Sequence, residues 1–334
     1  MVSSRRGAGA RPPARKPVVR KVARPKPGFT TRSRPEGIRW LRADGTPNWS
    51  QRIAEKVGDA ELLASRPPRT VQHTATILDA ARLVYEYKVR GLVVVDASDV
   101  LKGVLLTTDL VNYLGGGEYY RIVEARHGDN IFKALNDESI ASIYNPGPMY
   151  VDRKASLTSV LQLMIAEGVG FVPVVDSDGV VYGVITEHDL VRHLADKRVG
   201  RKVRDHMTGT VVMVEAEAPI REAARLMVLH GFRRLPVVSG GEVKGMVTAK
   251  DYVSFFGSNE AFKAVEKGTM SEVLSVPVYE IMTPVVYTIS PDADVGDAAR
   301  EMLEKGVSSL LVVEDDEVKG IITERDVLVA VAVG

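Results

Sequence analysis

The sequence has no cysteine among its 334 residues. That excludes disulfide frameworks, thiolate catalysis and zinc–thiolate sites. It also lacks any apolar run approaching the roughly 18–20 residues that span a bilayer. No apolar h-region follows the basic N-terminus, so neither a membrane span nor a secretory signal is expected. Glutamine occurs only as Gln51, Gln72 and Gln162. Such scarcity beside abundant Glu, Lys and Arg is a feature of proteins from hot-living organisms. There is no P-loop, and the six histidines show no metal-ligand spacing; His188 and His193 are five apart, off one helical face. Gly115–Gly117 follows a predicted helix rather than a strand, so it reads as a helix C-cap and hinge, not a phosphate loop. The expectation is a soluble, cytoplasmic, non-enzymatic protein without a metal.

Acidic residues are missing from one region. Residues 1–35 hold eleven cations (Arg5, Arg6, Arg11, Arg15, Lys16, Arg20, Lys21, Arg24, Lys26, Arg32 and Arg34) and no Asp or Glu. The rest of the chain holds 33 Lys and Arg against 43 Asp and Glu, so a net charge of +1 conceals a basic arm on an acidic body. Charge, repeated proline and little apolar content leave the arm unable to offset its ordering entropy, which predicts disorder. Eleven cations without an acid would displace phosphate counterions, so the sharper expectation is RNA binding and the plainer one a solubilising tail. A membrane surface is a third possible polyanion, but no amphipathic helix accompanies the charge. The prolines count against a mitochondrial transit helix. Residues 36–64 read as a linker and docking segment. Trp40 and Trp49 there are expected to dock on the first folded module, or else to stack on bases.

What is abundant is repetition. The stripe Ile77, Ala80, Ala81, Val84 recurs as Leu157, Val160, Leu161, Met164, as Ile220, Ala223, Ala224, Met227, and as Val295, Ala298, Ala299, Met302. Each marks an amphipathic helix. Eleven residues after each start stands Lys88, Gly168, Gly231 or Gly306, the glycines being natural helix stops. Short β-rich runs follow (LVVVD, VPVVD, LPVVS, LLVVE), then a polar turn, then GVLLTTD, GVITEHD, GMVTAKD or GIITERD, then a second helix. From stripe start to final aspartate the spacing is 32, 32, 31 and 31 residues. Fixed-period repetition of this kind marks a repeat architecture. GEYYRIVEA after the first copy resembles NEAFKAVEK after the third. The copies therefore pair as first with second and third with fourth.

This β-α-β-β-α unit with a closing T-x-x-D resembles the CBS domain, over roughly residues 65–334. The resemblance implies an α/β (α+β) fold of four CBS units in two Bateman modules, expected at 65–196 and 197–334. It also implies two clefts per module for adenosine-containing ligands, such as AMP, ADP, ATP or S-adenosylmethionine, and stacking into discs, with a homodimer possible. Taken alone, Thr186/Asp189, Thr248/Asp251 and Thr323/Asp326 are helix capping boxes. A helix N-terminus is also a phosphate site and the aspartate a ribose acceptor. His188, Lys250 and Arg325 stand before these aspartates, able to face phosphate or solvent. The first copy has Leu106 in place of the threonine, so it is expected to keep the fold and lose its nucleotide. The third is expected to hold the best site, because Arg233 and Arg234 precede its strand; they would meet phosphate or pair with acids of the body. Val211 and Val285 are expected either to wall an adenine slot or to be plain core valines. Four CBS units with a basic arm further resemble archaeal CBS proteins that bind ribosomal subunits and keep them idle. That likeness implies rRNA as the arm's partner. The alternative is a free-standing energy sensor acting on a partner enzyme, transporter or transcription step.

Overall fold

The computed structural model describes residues 48–50, 53, 57–194 and 198–333. The eleven cations of the arm and Trp40 lie outside the described residues. All four units show the expected element order. A short lead strand (Thr70–Gln72, Val151–Asp152, Val214–Glu215, Thr288–Ile289) precedes an amphipathic helix (Ile77–Tyr87, Leu157–Ala166, Ile220–His230, Val295–Lys305). A central strand (Gly91–Val95, Phe171–Val175, Arg234–Ser239, Ser309–Glu314) pairs parallel with the lead strand. It pairs antiparallel with an edge strand that carries the repeated phrase (Leu101–Leu106, Val181–Thr186, Glu242–Thr248, Glu317–Thr323). The parallel crossover through a helix makes each sheet buried on the helix face. All four helix stops are left-handed, at φ 53° for Lys88 and 74°, 65° and 63° for Gly168, Gly231 and Gly306. Lysine therefore takes a conformation that glycine adopts at no steric cost.

The units are tied in pairs by exchange. Ser65, just ahead of the first unit's lead strand, bridges Val184 on the second unit's edge strand, and Asn145, ahead of the second, bridges Val104 on the first. Thr208 likewise bridges Ile321, and Thr283 bridges Met246. Each lead-in residue stands twelve positions before its own helix stripe: Ser65 and Ile77, Asn145 and Leu157, Thr208 and Ile220, Thr283 and Val295. This exchange explains the glycine that opens the repeated phrase. A Cβ on Gly103, Gly183, Gly245 or Gly320 would sit 2.4–3.0 Å from the nearest atoms of the visiting strand (Asn145 O, Ala64 Cβ and Ser65 O, Thr283 O, Thr208 O).

Helices join the pairs into one body. One apolar core combines the first and third units and a second combines the second and fourth. The Ile77–Tyr87 helix packs on the third unit's closing helix, Ala249–Gly257, so closely that a Cβ on Gly257 would fall 2.2 Å from the Ala81 carbonyl. The second and fourth closing helices, Glu187–Leu194 and Glu324–Ala332, pack on each other. Each buried Leu, Ile or Val at these seams contributes about 1.5–3 kcal/mol. A smaller cluster of Val93, Val95, Val181 and Val184, with Leu101 and Phe171 against it, joins the first two sheets.

Two expectations need correction. Gly115 (φ 124°) and Gly116 do end the first closing helix, but they are buried and pressed against Leu274 and the Ala224 carbonyl, so the segment is a packing contact rather than a hinge. Trp49 docks not on the first module alone but also at the other end of the chain. It bridges Val333, Ser50 N–H donates to the Ala332 carbonyl, and the ring joins the core of the second and fourth units. The helix Asp59–Leu63 lies on the second unit, where Ala60 N–H donates to the Ala155 carbonyl.

Candidate functional site

The repeated phrase ends each edge strand and starts each closing helix, so four such junctions face inward. In three of them the capping geometry is complete. Asp189 Oδ2 accepts from Thr186 N–H (2.8 Å) and Oγ1–H (2.6 Å), Asp251 Oδ2 from Thr248 (3.0 and 2.6 Å), and Asp326 Oδ2 from Thr323 (2.8 and 2.7 Å). The capping role is thus present in all three copies. In the first, Asp109 accepts from Leu106 N–H at 2.7 Å and the leucine returns nothing. Burial pushes the Asp109 carboxyl up to about 7 against that single bond.

One cavity of about 470 Å³ opens at these junctions, a size suited to a nucleotide. Its wall draws on all four units, with Thr186, His188 and Asp189 from the second unit's phrase and Arg233, Arg234, Thr248 and Lys250 from the third unit. Val211, Asp251, Val285, Thr323, Arg325 and Asp326 lie outside its wall. Four of the residues expected to build a site in the third unit therefore line a cavity shared with its neighbours. Arg233 Nη2 donates to Glu187 Oε2 of the second unit at 2.6 Å, and Arg234 donates to the Ser308 carbonyl of the fourth. The third unit's cations reach across the centre and serve a neighbour's cleft. Arg325 likewise donates to Glu187 Oε1 (3.2 Å) and to the Gly168 (3.0 Å) and Met164 carbonyls, so pairing with the body holds it. Val285 is 51 % exposed and Val211 half-buried, so neither is a core valine.

Sequence reasoning missed two parts of this site. The first is the wall supplied by the first unit's lead-in: Ser65, Arg66, Pro67, Pro68 and Arg69. Ser65 Oγ–H donates to Asp189 Oδ1 at 2.6 Å. Arg66 lies 4.1 Å over the Tyr182 ring, Arg69 4.1 Å over Tyr87, and Lys88 Nζ 4.0 Å over Tyr85, so ring faces hold three lining cations. The constant twelve-residue offset to the helix stripe was the signal that could have found this wall.

The second is a pair of buried acids, Glu187 and Glu324, 1 % and 2 % exposed. Glu187 is met by Arg233, Arg325 and, at 3.6 Å, Arg90; Glu324 is met by Arg90 at 2.9 Å and by His188 Nδ1 at 2.7 Å. Burial alone would raise the Glu187 carboxyl, but Arg233, Arg325 and Arg90 outweigh it and hold it at about 2. Burial is likewise outweighed at Glu324, by His188, Arg90 and Arg234, and its carboxyl stays below the ordinary range. Counting the wall, seven Lys and Arg face two acids, Asp189 and Glu324. Such a cavity is built for an anion. Among the described residues no group of His, Asp and Glu could hold a metal ion, and no helix is long and apolar enough to cross a membrane.

The CBS domain model matches this chain four times, over residues 57–116, 140–196, 203–258 and 278–333. An uncharacterized 33.4 kDa protein in a ribosomal RNA operon of Thermofilum pendens is 34 % identical over 262 residues, covering 78 % of this chain and 87 % of its own. Protein MJ1225 of Methanocaldococcus jannaschii is 33 % identical over 262 residues, covering 78 % and 93 %. Its crystal structure, described as that of a candidate archaeal homologue of γ-AMPK, superposes with a TM-score of 0.74 over 80 % of this chain and 97 % of its own.

Proposed function

Because the chain belongs to the CBS-domain family, we propose that it is a non-enzymatic sensor of adenine nucleotides whose basic arm carries the response to rRNA. The observation that carries the sensor reading is the cationic cavity at the second unit's phrase. In this reading Asp189 accepts from the ribose hydroxyls in competition with Ser65. Phe171, Pro67 and Val184 offer the apolar contacts a base requires, and the phosphates run inward toward Lys88, Arg90, Arg234 and Lys250. Thr248, at the start of the third closing helix, adds a helix N-terminus to the same anion site.

The arm's partner is argued from charge. Eleven cations without an acid favour RNA phosphate, while the acidic body disfavours broad contact. A relative named for its ribosomal RNA operon supports the ribosome as the particular RNA, with blockage by the arm entering an RNA-lined channel. The second reading, a sensor regulating a partner enzyme, has the γ-AMPK description of the M. jannaschii protein in its favour.

Calorimetry with AMP, ADP and ATP tests the sensor: at least one should bind, and silence from all three would sink it. A sucrose gradient of lysate tests the arm. The full chain should travel with ribosomal particles at low salt, and deletion of residues 1–35 should return it to the top. A full chain that stays at the top favours the partner-enzyme reading.

A further inference from the structure

An acid at the inner end of an anion cavity requires an explanation. Glu324 lines the cavity and touches the cations that a phosphate would need. The position after the phrase's fourth residue is Thr107, Glu187, Ala249 and Glu324 in the four units, each 2 % exposed or less. The position two before the central strand's first leucine or valine is Arg90, Gly170, Arg233 and Ser308. Arginine thus stands in the first and third units and glutamate in the second and fourth. The space is reserved as well. A Cβ on Gly170 would lie 3.0–3.2 Å from the Glu187 carboxylate, where the first and third units carry arginine instead.

We propose that Glu324, backed by Glu187, sets how many phosphates the cavity accepts, favouring a nucleoside monophosphate over a triphosphate. This rests on the nucleotide reading above. Three arginines (Arg90, Arg233, Arg325) meet two glutamates, so these five side chains sum to a formal charge of +1, and Arg234, whose charge also acts on Glu324, adds a second. A monophosphate matches the charge of that cluster, the part of the site where the two carboxylates stand. Each further phosphate adds about one negative charge beside a carboxylate already present, a repulsion that discriminates by design against the longer chain. The Arg90–Glu324 contact is the place where a phosphate oxygen can enter. Arg90 Nη1 and Glu324 Oε2 are buried and close, yet neither makes an aligned hydrogen bond among the described residues.

The test titrates AMP and ATP, without magnesium, into the full chain and its Glu324→Gln variant. The variant should bind ATP about tenfold more tightly while AMP changes less than about threefold. An unchanged AMP-to-ATP ratio overturns the proposal. Loss of all binding by the wild-type chain overturns the sensor reading instead, which keeps the two failures distinct. Glu324→Gln leaves Arg90 its contact with Glu187. If the variant does not fold, the charge-balanced pair Arg90→Gln and Arg90→Gln/Glu324→Gln decides. The single variant should lose ATP more than AMP and the double should recover it; equal losses of both ligands in the two variants refute the idea.

Discussion

The first and second clefts share a fold, an exchanged lead-in and a phrase glycine, and they differ in what surrounds one aspartate. Asp189 accepts from Thr186 twice, from Ser65 and from Arg192, and it lines a cavity rich in cations. Asp109 has Leu106 N–H and burial. The same residue type at the same place is a multiply bonded carboxylate on a cavity wall in one setting and a carboxyl pushed up toward neutrality in the other. The difference teaches that the phrase specifies a helix start everywhere, while a site needs donors from outside the unit.

The largest effect that sharpens this contrast is with pH. Asp109 titrates in the folded state at about 7, above its ordinary value of 3.8, so it binds an extra proton when folded. Its stabilising contribution is full below about pH 4 and is lost as pH rises through 7. Glu187, held at about 2, does the reverse: its contribution is present above pH 4.5 and is lost as pH falls through 2. Asp109→Asn should therefore gain about 4 kcal/mol over wild type at pH 8 and little at pH 4, read by urea denaturation at the two values. Equal effects at both would break the contrast.

Next come the glycines. Gly103→Ala forces a methyl against the Asn145 carbonyl, a backbone atom 2.4 Å away, whereas Gly183→Ala meets Ala64 Cβ at 2.9 Å and Ser65 O at 3.0 Å. Overpacking should cost about 2 kcal/mol in the first cleft and about 1 kcal/mol in the second, measured by thermal and chemical unfolding. Asp189→Asn should weaken nucleotide binding by about 1.5 kcal/mol while Asp109→Asn leaves it unchanged in calorimetry. The smallest effect is Leu106→Thr. It restores a cap worth about 0.5–1 kcal/mol yet supplies no cations, so it should stabilise slightly without creating a nucleotide site.

The fold was legible because it is written four times. Stripe, strand, phrase and closing helix keep their spacing, and each is a local pattern that needs no partner to be read. The aspartates and threonines were legible for the same reason. Glu187 and Glu324 were not, since a glutamate at the first position of a helix reads as an ordinary dipole-compensating residue. Only the packing of four junctions together turns it inward and buries it. Arg233 and Arg234 were seen, but their reach was not. A side chain on one unit that completes its neighbour's cleft has no signature within its own repeat. Ser65 and Pro67 escaped notice because the lead-in differs in sequence from unit to unit and keeps only its offset.

The clasp between Trp49 and Val333 bears on how the molecule is finished during synthesis. Ser50 and Trp49 fasten to the last turn of the final helix, through backbone and side-chain bonds to Val331, Ala332 and Val333. Ser50 must therefore wait for a partner made 281 positions later. A nascent chain whose fourth unit is still in the exit tunnel cannot close this clasp, and a bulky label fused behind residue 333 would crowd Trp49 and Ser50.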